Sequence, residues 1–421
     1  MEMKSNNRMM DKIRLLVLSL LMLAGCAVAS AQSSDEDYGA LADLDREMLQ
    51  NAVRMVDDGL NDAAQHDLDL LVKKYPDNYL VRYEQLYNFY MMKKYDEVVR
   101  HRKFMLRNKH ASPLTFQLIG NAYDYMGKRE EAAKVYQQGL ERFPDSGSLY
   151  LECGTLCFMA KEYDKALALY NKGIEVEPNF ASNYYRSSVL YFSAQNGVPW
   201  GEVYAESAIL LAPNNGERHR ELADMMVSAL RDNITYTRGD STVLKVSLAT
   251  ARNLKIDADN NVYIEFPGLY EGLMTKALSD NLRKTDSLTF DFPQLIDIRR
   301  SMVDSYCNIA DTLYGNSMYL FEFQKKVIDA GHWEAYNYYI FMNTDEEQWT
   351  RWYQWQGGEE KIKAFVDWYN EEPFRLGDGR SVCERQIYDS YPRVDMMKSM
   401  TIQAGLLDAK YDDEGTSSPK E

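Results

Sequence analysis

The sequence predicts an all-α fold in which stacked helical hairpins form a solenoid of about five to six repeats and then continue into a C-terminal helical region. Three observations support this. Apolar and small residues recur every 34 residues in the first half, and such a period is typical of repeat architectures. In the second half, apolar residues keep the spacing of helices. Hydrophobic residues make up 45% and charged residues 27% of the 421-residue chain, as in a folded globular protein.

Five windows of 34 residues carry the repeat, beginning at residues 45, 79, 113, 147 and 181. A hairpin of two helices cannot bury its own apolar face, so neighbouring hairpins must stack, and one hairpin per window accounts for the period. The third window shows the shared pattern of aromatic, small and proline positions most clearly. Its pattern residues are Phe116, Ile119, Gly120, Tyr123, Ala132, Tyr136 and Pro144.

The small residues and prolines of the pattern have physical functions. Gly120 and Gly154 are predicted to let the two helices of a repeat approach closely, where any Cβ atom would push them apart. Pro144 and Pro178 end the second helix of their repeats, because proline cannot continue a helix and restricts the residue before it. Both pairs predict the same hairpin in consecutive windows.

This pattern resembles the tetratricopeptide repeat, which places Trp, Leu-Gly and Tyr in the first helix and Ala, Phe and Pro in the second. The second window departs from it, with Arg102 at the second-helix aromatic position and His110 in place of the proline. The fifth window needs about one extra residue near residues 196–200. The resemblance implies a right-handed α-solenoid over residues 32–260.

The resemblance also implies that the first helix of each repeat lines a concave groove for a peptide or protein segment. Aromatic rings with a few amides suit an extended or helical peptide; the alternative for each position is packing between repeats. One family subset grips a C-terminal carboxylate with paired Lys and Asn residues, but Thr155 replaces one such Asn here and the matching Lys residues are missing. The implied groove residues are Tyr83, Tyr87, Tyr90, Gln117, Asn121, Tyr125, Leu151 and Phe158.

A sixth, degenerate repeat is predicted after the fifth window. Residues 217–230 have helical spacing, and residues 243–256 resemble a second helix that follows a long polar loop. Asp257 and Asp259 resemble the start of a Ca²⁺-binding loop, but Val262 stands where such a loop needs glycine. We therefore interpret this segment as a turn that ends a helix.

The C-terminal region at residues 261–409 is predicted to be helical, as divergent repeats or as a separate domain. Trp333, Trp349 and Trp352 belong to a segment rich in aromatic rings, which either lines a ligand groove or forms a bulky core. The predicted helices are residues 267–282, 293–313, 318–330, 332–342, 345–356 and 359–370.

The N-terminus predicts export. Basic residues precede an apolar run at residues 15–24, which is too short to cross a hydrocarbon core of about 30 Å as a helix, and this order is typical of a secretory signal peptide at residues 1–31. Cleavage after Ala31 would release a soluble protein, whereas a lipobox-like cleavage before Cys26 would lipidate that cysteine and anchor the protein. The mature chain is not expected to span a membrane. Residues 410–421 are expected to be a disordered tail.

Charge and motif content argue against nucleic-acid binding and catalysis. The net charge is −16, whereas nucleic-acid binding needs clustered Lys and Arg. The five His are scattered, and no common phosphate-binding, nucleophile or zinc motif occurs. Cys153 and Cys157 are interpreted as small buried residues rather than a metal or redox pair. We therefore expect no catalytic residues, no metal and no cofactor.

The predicted function is a non-catalytic protein–protein interaction scaffold of the bacterial cell envelope, located in the periplasm or anchored to a membrane as a lipoprotein. Its partner is a peptide or protein segment bound in the groove. One alternative is a solute- or glycan-binding envelope component that uses the Trp333, Trp349 and Trp352 cluster. Another is a structural module in which the array pairs with itself.

Overall fold

The computed structural model divides the chain into two compact units. In the N-terminal unit the described residues are 41–176, and in the C-terminal unit they lie between residues 177 and 383. The predicted signal peptide at residues 1–31, which includes Cys26, and the predicted tail at residues 410–421 lie outside the described residues. The division lies near residue 176, so the predicted boundary at residue 260 falls inside the C-terminal unit. The structure describes residues 41–194, 197–238, 243–249, 254–256, 262–264, 266–285, 287–309, 318–342 and 344–383.

The described part of the N-terminal unit contains nine helices that form four hairpins, which confirms the predicted all-α repeat fold. The first helices of the second, third and fourth repeats begin at the first residue of their windows. The helices are α1 (Asp43–Asp57), α2 (Asn61–Lys74), α3 (Tyr79–Met91), α4 (Tyr95–Arg100), α5 (Arg102–Arg107), α6 (Pro113–Tyr125), α7 (Arg129–Arg142), α8 (Gly147–Met159) and α9 (Tyr163–Val176).

The packing of these helices follows the repeat. In each hairpin the first helix contacts its own second helix, as α6 contacts α7 and α8 contacts α9. The first helices also contact one another in order, since α1 touches α3, α3 touches α6 and α6 touches α8. Side chains on the outer faces of α3, α6 and α8 therefore belong to one continuous surface.

The predicted close approach at the glycines is confirmed. A Cβ atom added to Gly120 would lie 2.1 Å from the ring of Tyr136, and one added to Gly154 would lie 2.4 Å from the ring of Tyr170. Each ring belongs to the second helix of the same repeat and is almost fully buried. The glycine therefore leaves space for a tyrosine, which fixes how the two helices of the hairpin cross.

The second repeat, whose sequence departs from the pattern, also departs in structure. Its second helix is interrupted at His101, which separates α4 from α5. The His101 backbone N–H makes a long bond of 3.4 Å to the carbonyl of Val98. Here Arg102 replaces the ring that fills the hairpin in the third and fourth repeats, so side-chain packing does less to keep the helix continuous.

The C-terminal unit begins with the fifth predicted hairpin, followed by one helix, two small sheets and six more helices among the described residues. The observed C-terminal helices match the predicted stretches to within a few residues. The elements are α10 (Ala181–Ser193), α11 (Val198–Leu211), α12 (Gly216–Asn233), β1 (Ile234–Thr237), β2 (Val243–Val246), β3 (Leu254–Ile256), β4 (Val262–Ile264), α13 (Phe266–Leu282), α14 (Phe292–Ile309), α15 (Tyr319–Asp329), α16 (Trp333–Ile340), α17 (Glu346–Trp355) and α18 (Gly358–Glu371).

The predicted second helix at residues 243–256 is wrong. The chain forms β2 and β3 there: β1 pairs with β2 in antiparallel register, with Ile234 opposite Val246, and β3 pairs with β4. The cause is pairing: all four residues of β1 are β-branched or aromatic and favour a strand, and residues 243–246 pair with that strand. There is thus no sixth hairpin in the described chain. The Ca²⁺-like residues at 257–261 lie outside the described residues.

A buried polar network joins four helices of the C-terminal unit. One carboxylate oxygen of Glu206 on α11 accepts hydrogen bonds from Arg299 on α14, Gln324 on α15 and Tyr336 on α16. Arg299 also donates to Asn337 on α16. All five side chains are buried, so the charge of Glu206 is paired and hydrogen-bonded rather than isolated, as a buried charge must be.

Across the described ranges, no helix combines the length and the apolar character needed to cross a membrane.

Candidate peptide-binding surface

The eight predicted groove residues lie together on the N-terminal unit. Tyr83, Tyr87 and Tyr90 come from α3, and the others come from α6 and α8, which contact in that order. None of the eight is buried: seven are partly exposed, and the side chain of Tyr125 is 65% exposed. We call this set of eight the first-helix surface. It is positioned by the hairpins, because the opposite faces of the same helices form the core.

The most exposed part of the surface is a cluster of three tyrosine rings. Tyr125 stacks on Tyr95 with ring centroids 5.2 Å apart and nearly parallel planes, while Tyr90 meets both rings edge-on at 5.6 and 5.9 Å. Burial, followed by the neighbouring Tyr125, raises the pKa of Tyr90. Tyr90 therefore stays neutral at physiological pH, and the cluster offers flat rings of the kind that bind apolar side chains.

The two amides of the surface already have partners. The Gln117 side chain on α6 donates to a carboxylate oxygen of Glu152 on α8 at 2.6 Å. The Asn121 carbonyl oxygen accepts a hydrogen bond from the hydroxyl of Tyr136. These bonds link neighbouring helices, so for both amides packing between repeats is part of their function. The rings and aliphatic groups remain the groups with exposed faces.

Two acidic residues lie on the same helices as the rings. Glu84 on α3 makes no ion pair or hydrogen bond in the described chain, and burial, followed by the charge of Asp57, raises its pKa to about 7. Asp124 on α6 makes only a long ion pair of 3.6 Å with Arg129. Neither α6 nor α8 carries a Lys or Arg. Asp124, and Glu84 in its ionised form, are the acidic groups that a cationic side chain of a ligand would meet on α3 and α6.

Sequence reasoning missed Tyr95 and Tyr163. Both begin the second helix of a repeat, and Tyr163 contacts Phe158 edge-on at 5.5 Å. The signal was present in the sequence: each tyrosine is the seventeenth residue of its window and is followed by aspartate. The prediction overlooked these tyrosines because it considered only first helices, whereas the start of a second helix reaches the same surface.

The alternative aromatic cluster lies in the core of the C-terminal unit. Trp333, Trp349 and Trp352 are each at most 3% exposed. Their indole N–H groups donate hydrogen bonds to the carbonyls of Ile296 and Tyr338 and to the Glu334 carboxylate. Trp352 stacks on Tyr338 with centroids 3.8 Å apart. The arrangement is that of packed core rings with satisfied polar tips rather than of rings around a cavity.

The cysteines of the repeats show no sign of redox chemistry. Cys153 is buried in the core of the N-terminal unit, Cys157 is half-buried, and neither forms a disulfide. Burial raises the pKa of both thiols. A raised thiol pKa lowers the fraction of reactive thiolate, as expected for small core residues.

Comparison with known proteins gives one family. The sequence model of the tetratricopeptide repeat matches residues 118–181. Among curated proteins, the Hsp70-Hsp90 organizing protein of Triticum aestivum is 25% identical over 167 residues, 39% of this chain and 29% of its own length. The Hsp70-Hsp90 organizing protein 2 of Arabidopsis thaliana is 29% identical over 92 residues, 22% of this chain and 16% of its own length. The chain thus spans less than a third of either relative.

Two solved structures are among those that match part of the chain. A thermophilic TPR protein of Thermus thermophilus is 18% identical with a TM-score of 0.37, and the match covers 44% of this chain and 99% of that one. The MamA protein is 16% identical with a TM-score of 0.31, and the match covers 41% of this chain and 94% of that one.

The family match spans the third and fourth repeats, where Gly120 and Gly154 face the tyrosines of their own hairpins. The hairpins on either side of the match keep the same 34-residue spacing. Sequence pattern, helix bounds and family match agree, and the chain is a tetratricopeptide repeat protein.

Proposed function

We propose that this protein is a non-catalytic scaffold that binds a segment of another protein on the first-helix surface. The segment carries apolar or aromatic side chains and at least one Lys or Arg. The observation that carries the proposal is the cluster of Tyr90, Tyr95 and Tyr125, in which the Tyr125 ring is exposed. Asp124 lies next to Tyr125 in the sequence, and Glu84 is on the same helix as Tyr90. Aromatic rings and carboxylates on one surface suit a segment that carries apolar and cationic side chains.

The curated relatives support an interaction function in general terms. Both are named as Hsp70-Hsp90 organizing proteins, which are names of proteins that act on other proteins. We extend only that kind of function to this chain. The carboxylate grip with paired Lys and Asn is not part of the proposal, because Thr155 occupies one of its positions.

We further propose that the scaffold works in the bacterial cell envelope. The support is the signal-peptide pattern of residues 1–31, with its basic start, short apolar run and small-residue end. Soluble release after Ala31 and lipid anchoring at Cys26 are the two forms that this location can take.

The binding proposal is tested with the mature protein and a display library of random peptides. Selected peptides should be enriched in aromatic residues together with Lys or Arg, and their affinities are then measured by fluorescence anisotropy. Tyr125→Ala and Phe158→Ala should each weaken binding about tenfold, the usual scale for losing an aromatic contact at the centre of an interface.

The matched control is Trp355→Ala, which removes a ring that is 75% exposed on the C-terminal unit. It should leave the affinity unchanged. Equal losses for Trp355→Ala and Tyr125→Ala, or selected peptides that are all acidic, would rule out the first-helix surface as the binding site.

A further inference from the structure

The second helix of the second repeat carries a cluster of basic residues in an otherwise acidic chain. The net charge of the chain is −16, whereas residues 93–109 contain seven Lys and Arg and only two acidic residues, Asp96 and Glu97. Six of the seven basic side chains are exposed, and we call these six the basic patch. Its members are Lys93, Lys94, Arg100, Lys103, Arg107 and Lys109.

The cations of α5 lie on the outer side of the repeat. Met105 of α5 is buried in the core of the N-terminal unit, together with residues of the first helix α6. Lys103 and Arg107 are each two residues away from Met105, and two residues correspond to about 200° of rotation in an α-helix. Both cations therefore face away from the core that the first and second helices share.

Most of the basic patch is not neutralised within the N-terminal unit. Arg100 pairs with Glu97 at 2.6 Å, but 64% of the Arg100 side chain stays exposed, and an exposed pair of this kind contributes little. The patch therefore keeps positive charge for a ligand. Four of its side chains make no ion pair or hydrogen bond with the described part of the chain, namely those of Lys93, Lys94, Lys103 and Arg107.

The basic patch lacks the apolar groups of a membrane-binding helix. Within residues 93–109 every large apolar side chain is at least partly buried. Phe104 and Leu106, which lie between the exposed cations of α5, pack against the core. A helix that lies on a membrane instead exposes an apolar face, which it buries in the interface. A charged surface without such a face suits a partner that is recognised by its charge.

We propose that the basic patch binds a segment of a second protein partner, and that this segment is rich in Asp and Glu. Complementary charge supplies the recognition, and carboxylates are the groups that Lys and Arg bind with charge-assisted hydrogen bonds. The choice of a protein as the ligand rests on the proposed scaffold function. Because the cations of α5 face away from the shared core, this partner and the segment on the first-helix surface can be held at the same time.

The test is fluorescence anisotropy of the mature protein with a labelled oligoglutamate peptide. The peptide should bind at about 50 mM NaCl and bind more weakly at about 300 mM, because salt screens exposed charges. Lys103→Gln and Arg107→Gln should each weaken binding about threefold, the scale of one exposed ion pair, and the double variant about tenfold. Lys93→Gly should act like Lys103→Gln, and it suits the backbone, since residue 93 has φ of +59°, which glycine adopts freely.

The matched control is the double variant Arg283→Gln with Lys363→Gln. Both side chains are exposed on the C-terminal unit, so this variant changes the net charge as much as the double variant of the patch does. It should bind oligoglutamate like the original protein, and circular dichroism checks that each variant is folded. No binding at low salt, or equal losses for the two double variants, would overturn the proposal.

Two further measurements distinguish the acidic segment from other occupants of the patch. Vesicles that contain phosphatidylglycerol and bind more tightly than the peptide, with the same loss in the double variant of the patch, would replace the acidic segment by a membrane surface. Self-association in light scattering that this variant abolishes would replace it by a second copy of the chain. The same variant should keep its affinity for the peptides selected on the first-helix surface, so the failure of one binding proposal does not decide the other.

Discussion

At the scale of single residues, the fit between glycine and tyrosine determines whether a repeat closes. Gly154 lies under the ring of Tyr170, where an added Cβ atom would come within 2.4 Å of the ring. Gly154→Ala should therefore lower the free energy of unfolding of the N-terminal unit by roughly 1–3 kcal/mol, the usual cost of overpacking a core. Chemical denaturation measures it.

The control is Gly272→Ala, at a helical glycine whose added Cβ atom meets nothing within 4 Å. It should be neutral or stabilising by up to about 1 kcal/mol, because alanine favours the helix. The double variant Gly154→Ala with Tyr170→Leu should recover part of the loss; a strictly additive result would show that the two side chains do not share one space.

Two glutamates on α11 should respond to substitution in opposite ways. Glu206 is bound by Arg299, whereas Glu202 is buried with a carboxylate oxygen that has no partner. Burial raises the pKa of Glu202 well above 4.5, against a smaller opposing effect of Arg299 and with a smaller contribution from Glu206 in the same direction. Above about pH 4.5 the unfolded chain releases this proton while the folded chain keeps it, so the group costs stability as the pH rises.

Glu202→Gln should therefore stabilise the C-terminal unit, and its advantage over the original protein should grow from pH 5 to pH 8. Glu206→Gln should destabilise it by about 3 kcal/mol or more, because Arg299 would be left buried without its counter-ion. Thermal unfolding across that pH range measures both. An advantage for Glu202→Gln that is constant with pH would contradict the assignment of a proton to Glu202.

At the scale of elements, the second helix of the second repeat is the weak point of the N-terminal unit. It is interrupted at His101, whereas α7 is continuous over 14 residues. We expect the amides of α4 and α5 to exchange with deuterium faster than those of α7, because local opening concentrates where hydrogen bonds are long and packing is reduced. Hydrogen-exchange mass spectrometry tests this, and equal protection of both segments would contradict it.

The elements also show what a sequence can and cannot predict. Helix starts at Tyr79, Pro113 and Gly147 followed from the period, because each repeat specifies its own hairpin locally. The strand at Val243–Val246 was missed, since four residues fit a helix or a strand equally well and only pairing with β1 decides. The bond between Glu206 and Arg299 joins residues 93 apart, and no local pattern contains it.

The candidate surface was predictable to a similar extent. The eight residues lie on α3, α6 and α8 and none of them is buried, but Tyr83, Tyr87 and Tyr90 also pack against the hydrophobic core. The stacking of Tyr95 on Tyr125 depends on where a second helix begins, and the prediction that only first helices line the groove did not consider this. A cleft of the C-terminal unit that is lined by residues 231–238 and 287–290 could not be predicted, because its two walls are separated by about fifty residues of chain without a repeat.

At the scale of the whole molecule, cleavage of the N-terminal segment determines the location that we propose for the scaffold. In a bacterial host, we expect the mature chain to begin at Gln32 and to appear in the soluble envelope fraction, because residues 29–31 fit signal peptidase. Intact-mass measurement checks this. A lipid-modified chain that begins at Cys26 would contradict the soluble form and support the anchored one. In that case the variant Cys26→Ser should lose labelling by fatty acid.

The hydrogen bonds of Glu206 also determine which parts of this protein can be deleted or transferred independently. Its three donors, Arg299, Gln324 and Tyr336, all come from helices that follow the fifth hairpin. A chain cut after residue 211 would leave this anion without any of them, so that hairpin cannot become the last one of a shortened array. Hairpins before the fifth can be added or deleted as whole repeats, whereas the elements from the fifth hairpin to α16 must be kept together.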